Sequence, residues 1–223
     1  MRLRLKKNLD DRARCCNEYY LPRYEGKNAL VGNANPDFWN LAQIFGNNNP
    51  VCLEIGCGKG KFAVEYALLH PDENIIAVER LSNVIVEGAE KAKNAGLTNI
   101  RFLVQNASYL PHFISPHTID RIFLNFSCPF PKQQYQKRRL THPKFLAMYS
   151  EWLKNGGTIQ QKTDNLPFFE FSVESLKSSG WEILHLTNDL YSDDISTNIP
   201  TEYETKFVSL GVKINKLIAR PKI

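Results

Sequence analysis

The chain has 223 residues, of which 43% are apolar, 23% charged and 11% aromatic; that balance suits one soluble globular domain with a substantial core and excludes global disorder. A formal charge of +5 permits a nucleic-acid partner without demanding one. No apolar run approaches the roughly 18–20 residues of a bilayer span, no signal-peptide core follows the first basic residues, and five cysteines without CxxC spacing point to a reducing cytoplasm rather than a disulfide framework or a zinc site.

In chain order, residues 1–35 read as a basic N-terminal arm. Arg2, Arg4, Lys6 and Lys7 cluster at its start, and Pro22 and Gly26 limit it to one short helix. A helix is expected over 36–45, where Pro36 and Asp37 suit a first turn and Phe38, Leu41, Ala42 and Phe45 share a face. An alternation then begins. Short apolar runs at 51–55 and 75–78 read as buried strands, and 100–104, 119–126 and 158–162 read as a third, a fourth and a fifth strand. Between and after them, helices are expected over 61–69, 82–95 with Ser82 as cap, 142–153 ended by Gly156 and Gly157, and 166–179. Residues 181–186 and 206–218 read as a final pair of strands, antiparallel and at one end of the sheet. The expected fold is α/β, in a single domain: a Rossmann-like, seven-stranded, mostly parallel sheet with helices on both faces and an antiparallel C-terminal strand.

The segment Glu54-Ile55-Gly56-Cys57-Gly58-Lys59-Gly60 follows a strand and opens a helix. Glycines let a chain turn sharply and let its backbone approach a ligand, and doubly wound folds bind ligands at strand carboxyl ends. The spacing is G-x-G-x-G, not the G-x-G-x-x-G of dinucleotide sites. A carboxylate at Glu54 would repel a pyrophosphate but suit a ligand carrying an ammonium and a sulfonium, as S-adenosylmethionine does. Glu79, at the end of the next strand, is where an acidic residue accepts both ribose hydroxyls. Asn106 follows the third strand and is placed for the adenine edge or the ribose. The cofactor-binding set is therefore Glu54, Gly56, Gly58, Gly60, Glu79 and Asn106; a tight turn that binds nothing is the plainer alternative.

The fourth strand ends in Asn125-Phe126-Ser127-Cys128-Pro129-Phe130-Pro131-Lys132, a loop stiffened by two prolines. Lys132, Lys137, Arg138, Arg139 and Lys144 follow with no acid among them, a stripe suited to phosphates or to plain solvation. Phe130 and Tyr135 could stack on an exposed base or pack the loop onto the sheet.

With these motifs assembled, the chain resembles the bacterial tRNA (guanine-N7)-methyltransferases over nearly its whole length. The resemblance rests on E-I-G-x-G-x-G at 54–60, V-E at 78–79, N-F-x-x-P-x-P-K…K-R-R-L at 125–140, K-T-D-N at 162–165 and T-E-Y-E-T-K-F at 201–207. It implies a class I S-adenosylmethionine-dependent methyltransferase that acts on a guanine of the tRNA variable loop, cytoplasmic, monomeric or homodimeric, with no metal and no membrane. By position, Glu54, Glu79 and Asn106 would meet the cofactor. Lys132, Asp164, Thr201, Glu202, Tyr203 and Glu204 would contact the tRNA or hold its base, joined by Lys137, Arg138 and Arg139. The family loop usually reads D-P-W-P-K; here Cys128 occupies the place of an aspartate used at the cofactor and in catalysis, and Phe130 that of the tryptophan.

Guanine N7 has a free lone pair and no proton, so its methylation needs no general base. Orientation alone can supply up to roughly 7–11 kcal/mol in ideal cases. A carboxylate would offset charge developing on the base, and Asp164 and Glu204 are the candidates besides position 128. A covalent role for Cys128 is unneeded for N7. The readings that compete are a methyltransferase with another acceptor, a dinucleotide oxidoreductase, and a catalytically silent RNA-binding protein that kept the fold.

Overall fold

A computed structural model describes residues 8–24, 38–193 and 195–222. Seven strands are present: β1 (Val51–Ile55), β2 (Asn74–Glu79), β3 (Ile100–Val104), β4 (Ile119–Asn125), β5 (Leu153–Thr163), β6 (Trp181–Thr187) and β7 (Asn215–Pro221). They form one sheet in the order β3-β2-β1-β4-β5-β7-β6. The chain divides into two compact units, Met1–Ile114 and Ser115–Ile223.

In the N-terminal unit β1 pairs with β2, and β2 with β3, all parallel, with Glu54 opposite Ala77 and Glu79 opposite Val104. Every residue of β1 is buried, as expected of a strand covered on both faces. Helices α3 (Lys61–Leu69) and α4 (Ser82–Asn94) follow β1 and β2. Residues 8–24 are docked, not loose. Helix α1 (Leu9–Cys15) lies against α4, where Arg12 grips both oxygens of Glu90 at 2.6 Å each and Lys93 donates to the Cys15 carbonyl. Tyr20 bridges to Phe102, and Leu21 N donates to the Phe102 carbonyl at 2.8 Å. The basic cluster Arg2, Arg4, Lys6 and Lys7 lies outside the described residues, as do Gly26, Pro36 and Asp37.

The C-terminal unit holds β4 and β5, parallel, with Asn125 opposite Lys162. Strand β7 lies antiparallel between β5 and β6. Helices α5 (Pro143–Trp152) and α6 (Leu166–Ser178) flank the strands in sequence.

Four departures from the sequence reading have a local cause. Helix α2 spans only Leu41–Phe45, because Asn40 caps it by accepting from Gln43 N; Phe38 is 45% exposed and belongs to no buried face. Leu81, not Ser82, occupies the cap position of α4, and the Glu79 carboxylate takes the Leu81 N–H. Helix α5 runs straight into β5 at Leu153, so Gly156 and Gly157 sit within the strand rather than ending the helix. The expected long strand at 206–218 is helix α7 (Glu202–Ser209) followed by β7. The cause is a capping box, in which the Thr201 side chain accepts from Glu204 N and the Glu204 side chain accepts from Thr201 N.

Candidate functional site

In the N-terminal unit the glycine turn is clasped to the end of β2. Gly56 N and Cys57 N both donate to the Val78 carbonyl, at 2.8 and 3.0 Å. One Glu79 oxygen accepts from Gly58 N at 3.2 Å and the other from Leu81 N at 3.1 Å. Glu79 is thus oriented by two backbone donors, one from each side. Glu54 is 1% exposed at the carboxyl end of β1. Burial raises the Cys57 thiol well above its ordinary range, and the negative fields of Glu54 and then Glu79 raise it further. Glu79 thus reaches the turn through Gly58 N, and the buried Glu54 stands two residues before the first glycine.

The glycines divide by cause. A Cβ on Gly60 would lie 2.8 Å from the Gly88 Cα, so Gly60 lets the turn sit against α4. Gly56 and Gly58 have φ of +89° and +56°, and a Cβ on either would meet no atom within 4 Å. Open space before a bare backbone, with Glu79 bonded to it and Glu54 on the strand that leads into it, fits a ligand with cationic and diol groups. It does not fit a pyrophosphate. Asn106 is exposed after β3, and its Oδ1 accepts from Ser108 N and Ser108 Oγ, each at 3.0 Å, capping the 3-10 turn Ala107–His112.

The C-terminal unit brings three of the quoted motifs together. Phe126, at φ +50°, donates its N–H to the Lys162 carbonyl at 2.8 Å. Its ring stacks on Tyr203 of α7, with centroids 6.4 Å apart and planes 19° from parallel. Tyr203 is 64% exposed. Lys162 and Glu204 are both fully buried and paired at 2.6 Å. Glu204 also accepts from Asn198 Nδ2 at 2.7 Å and the Tyr191 hydroxyl at 3.1 Å. Burial and the Glu204 charge push that hydroxyl up to about 12. Glu204 is accordingly an internal hub, engaged on both oxygens and closed to solvent, rather than a carboxylate open to a base. Glu202 is exposed, Thr201 is the helix cap, and Asp164 is half-buried in the turn between β5 and α6.

The basic stripe separates in the same way. Lys132, Lys137 and Arg138 are exposed, and Arg138 lies 4.6 Å from the Tyr135 ring centroid. Arg139 is 8% exposed and points inward. It donates to the Pro129 and Phe130 carbonyls at 2.8 and 3.2 Å and lies 4.3 Å from the Phe171 ring centroid. Arg139 therefore folds the proline loop and is not available to phosphates. Cys128 is exposed on that loop, and Phe130, at φ +42°, is half-buried. The sequence reading overlooked Lys162 as a site residue. Its signal was its place at the head of the K-T-D-N motif at 162–165, at the end of an expected strand.

Residues 48–217 match a family model described as "Putative methyltransferase". A tRNA (guanine-N(7)-)-methyltransferase of Geobacillus thermodenitrificans is 41% identical over 214 residues, 96% of this chain and 94% of that protein. One of the same name from Lachnoclostridium phytofermentans is 42% identical over 178 residues, 79% of this chain and 83% of that one. Among solved structures, the 16S rRNA methyltransferase KamB has a TM-score of 0.62 at 16% identity, with 87% of this chain and 99% of that chain covered. TrmN from Thermus thermophilus has a TM-score of 0.53 at 22% identity, with 82% and 47% covered. These structural likenesses bear on the fold, which is that of class I S-adenosylmethionine-dependent methyltransferases.

Proposed function

The chain belongs to the tRNA (guanine-N7)-methyltransferase family, and on that premise we propose that it methylates N7 of a guanine in tRNA, at position 46 of the variable loop, in the cytoplasm. The observation that carries the reading is the open Gly56–Gly58 backbone, bonded to Glu79 and entered from a strand that ends with the buried Glu54 and Ile55. When bound, S-adenosylmethionine supplies a methyl group on a positively charged sulfur. Glu54 and the turn favour that cation, and Glu79, already aimed by Gly58 N and Leu81 N, accepts from the ribose hydroxyls.

Residues of the C-terminal unit serve the tRNA. Lys132, Lys137 and Arg138 meet phosphates, and Tyr203 and Phe126 offer ring surface to a base. Asp164 and Cys128 are assigned to the reacting base. N7 arrives with its lone pair free, so these residues orient it and remove no proton. Asp164 is the carboxylate that offsets the charge the base acquires. Without a second carboxylate at position 128 the enzyme is slowed, not silenced.

Two measurements test this. Calorimetry is expected to show S-adenosylmethionine binding that Glu79→Ala weakens by roughly tenfold or more, the scale of a hydrogen bond to a charged group. Cys128→Asp is expected to raise kcat by about tenfold or more, since a charge aimed at the developing cation acts on the transition state. Cys128 itself favours a second reading, a silent RNA-binding protein. Absence of cofactor binding together with no transfer by Cys128→Asp would establish that reading instead.

A further inference from the structure

We infer that Lys162 is a positioning residue for tRNA recognition: bonded at both its ends, it sets the Phe126 and Tyr203 rings together as a stacking surface for an exposed nucleobase. This rests on the reading that the 201–204 segment meets the tRNA.

The two ends of Lys162 reach the two rings by different routes. Its main-chain oxygen accepts from Phe126 N at 2.8 Å, fixing a residue whose φ of +50° non-glycine residues seldom adopt. Such held conformations persist where the surrounding structure over-determines them. Its side chain uses all three ammonium donors, on Glu204 Oε2 at 2.6 Å, the Ile199 carbonyl at 2.8 Å and Asn198 Oδ1 at 3.1 Å. Glu204 follows Tyr203 directly on α7 and belongs to its capping box. One residue of β5 thereby ties down both the loop that carries Phe126 and the helix start that carries Tyr203.

Lys162 and Glu204 are each 0% exposed, so neither touches RNA. A buried ion pair is weak evidence for stability, because apolar residues of similar size often serve as well or better. What the pair does supply is a fixed relation between an internal strand and an outward-facing ring. Tyr203 is 64% exposed although it lies between Phe126 and Phe207, at centroid distances of 6.4 and 6.2 Å. A rigid, exposed aromatic surface is what single-stranded RNA-binding proteins offer to unstacked bases.

The test is steady-state methyl transfer to unmodified tRNA, with S-adenosylmethionine affinity measured in parallel. Tyr203→Leu is expected to raise KM for tRNA about tenfold, within the range for loss of one base stack. The double variant Lys162→Met/Glu204→Leu removes both charges and leaves no lone buried one. It is expected to raise KM for tRNA to a similar degree, with cofactor affinity unchanged. Adding Tyr203→Leu to it should cost little more, because Lys162 acts through that ring. Thr141→Val, which deletes a buried hydroxyl pair with Ser172 in the same unit, should destabilise without moving KM. If the double variant does not fold, Asn198→Ala loosens the same ammonium and should give a smaller rise. A normal KM in the Lys162 or Asn198 variants beside a raised one in Tyr203→Leu, or fully multiplicative losses, would overturn the inference. A normal KM in Tyr203→Leu would overturn the reading beneath it as well.

Discussion

Gln161 shows how much a single side chain can be out of keeping with its surroundings. It is fully buried in β5, opposite Leu124 on one side and Leu217 on the other, and both amide atoms lack a hydrogen-bond partner among the described residues. An unpaired buried amide costs on the order of 1–3 kcal/mol. Gln161→Met keeps the volume and removes the amide. It is expected to stabilise the protein by about 1–2 kcal/mol, which is a rise in Tm of roughly 2–8 °C for a chain of this size; thermal unfolding measures it, and a lowered Tm would count against the account. Features that follow from neighbours in sequence were legible before the structure: the strand, glycine turn and helix over 51–69 and the strand that ends at Glu79 stand where the apolar runs and glycines put them. Arg139, Glu204 and Lys162 were not legible. Arg139 takes its role from backbone ten residues back and from rings about thirty residues on, and Lys162 from Glu204, 42 positions away. Nothing in a charge run says which of its members turns inward.

At the level of elements, helix ends carry the most specific physics. His142 caps α5 by accepting from Lys144 N at 3.2 Å, which only the unprotonated Nδ1 can do. Burial, and then the charges of Lys144 and Lys137, lower its pKa from the ordinary 6.5. The unfolded chain therefore takes up the proton first. The stability this cap contributes is complete above about 6.5 and is lost as pH falls through the depressed folded-state value. Urea unfolding between pH 7.5 and 5 should show that loss, and His142→Asn, a neutral cap, should flatten it; an unchanged slope in His142→Asn would contradict the assignment. Caps also explain where element reading worked and where it failed. Strands β1 to β4 announce themselves as apolar runs beside turns. Residues 202–209 carry a helix with only Glu204 buried, so no apolar stripe marks it. Its sole signal is Thr201-x-x-Glu204, which the strand reading passed over.

On the scale of the whole molecule, a net charge of +5 is modest, and what gives it direction is which cations face solvent. Lys132, Lys137 and Arg138 do, whereas Lys162 and Arg139 serve the interior. The mostly parallel sheet with an antiparallel C-terminal strand was legible because alternation of strand and helix constrains topology strongly, whereas the placing of β7 between β5 and β6 comes from the structure. The central claim is that this sheet presents a methyl donor to N7 of a tRNA guanine. The most direct measurement is incubation of the full chain with methyl-labelled S-adenosylmethionine and unmodified tRNA, followed by mass-spectrometric mapping of the labelled nucleoside. The account predicts slow but complete formation of N7-methylguanosine at one position in the variable loop. Label on any other atom or nucleoside, or no transfer by either the natural chain or Cys128→Asp, would contradict it.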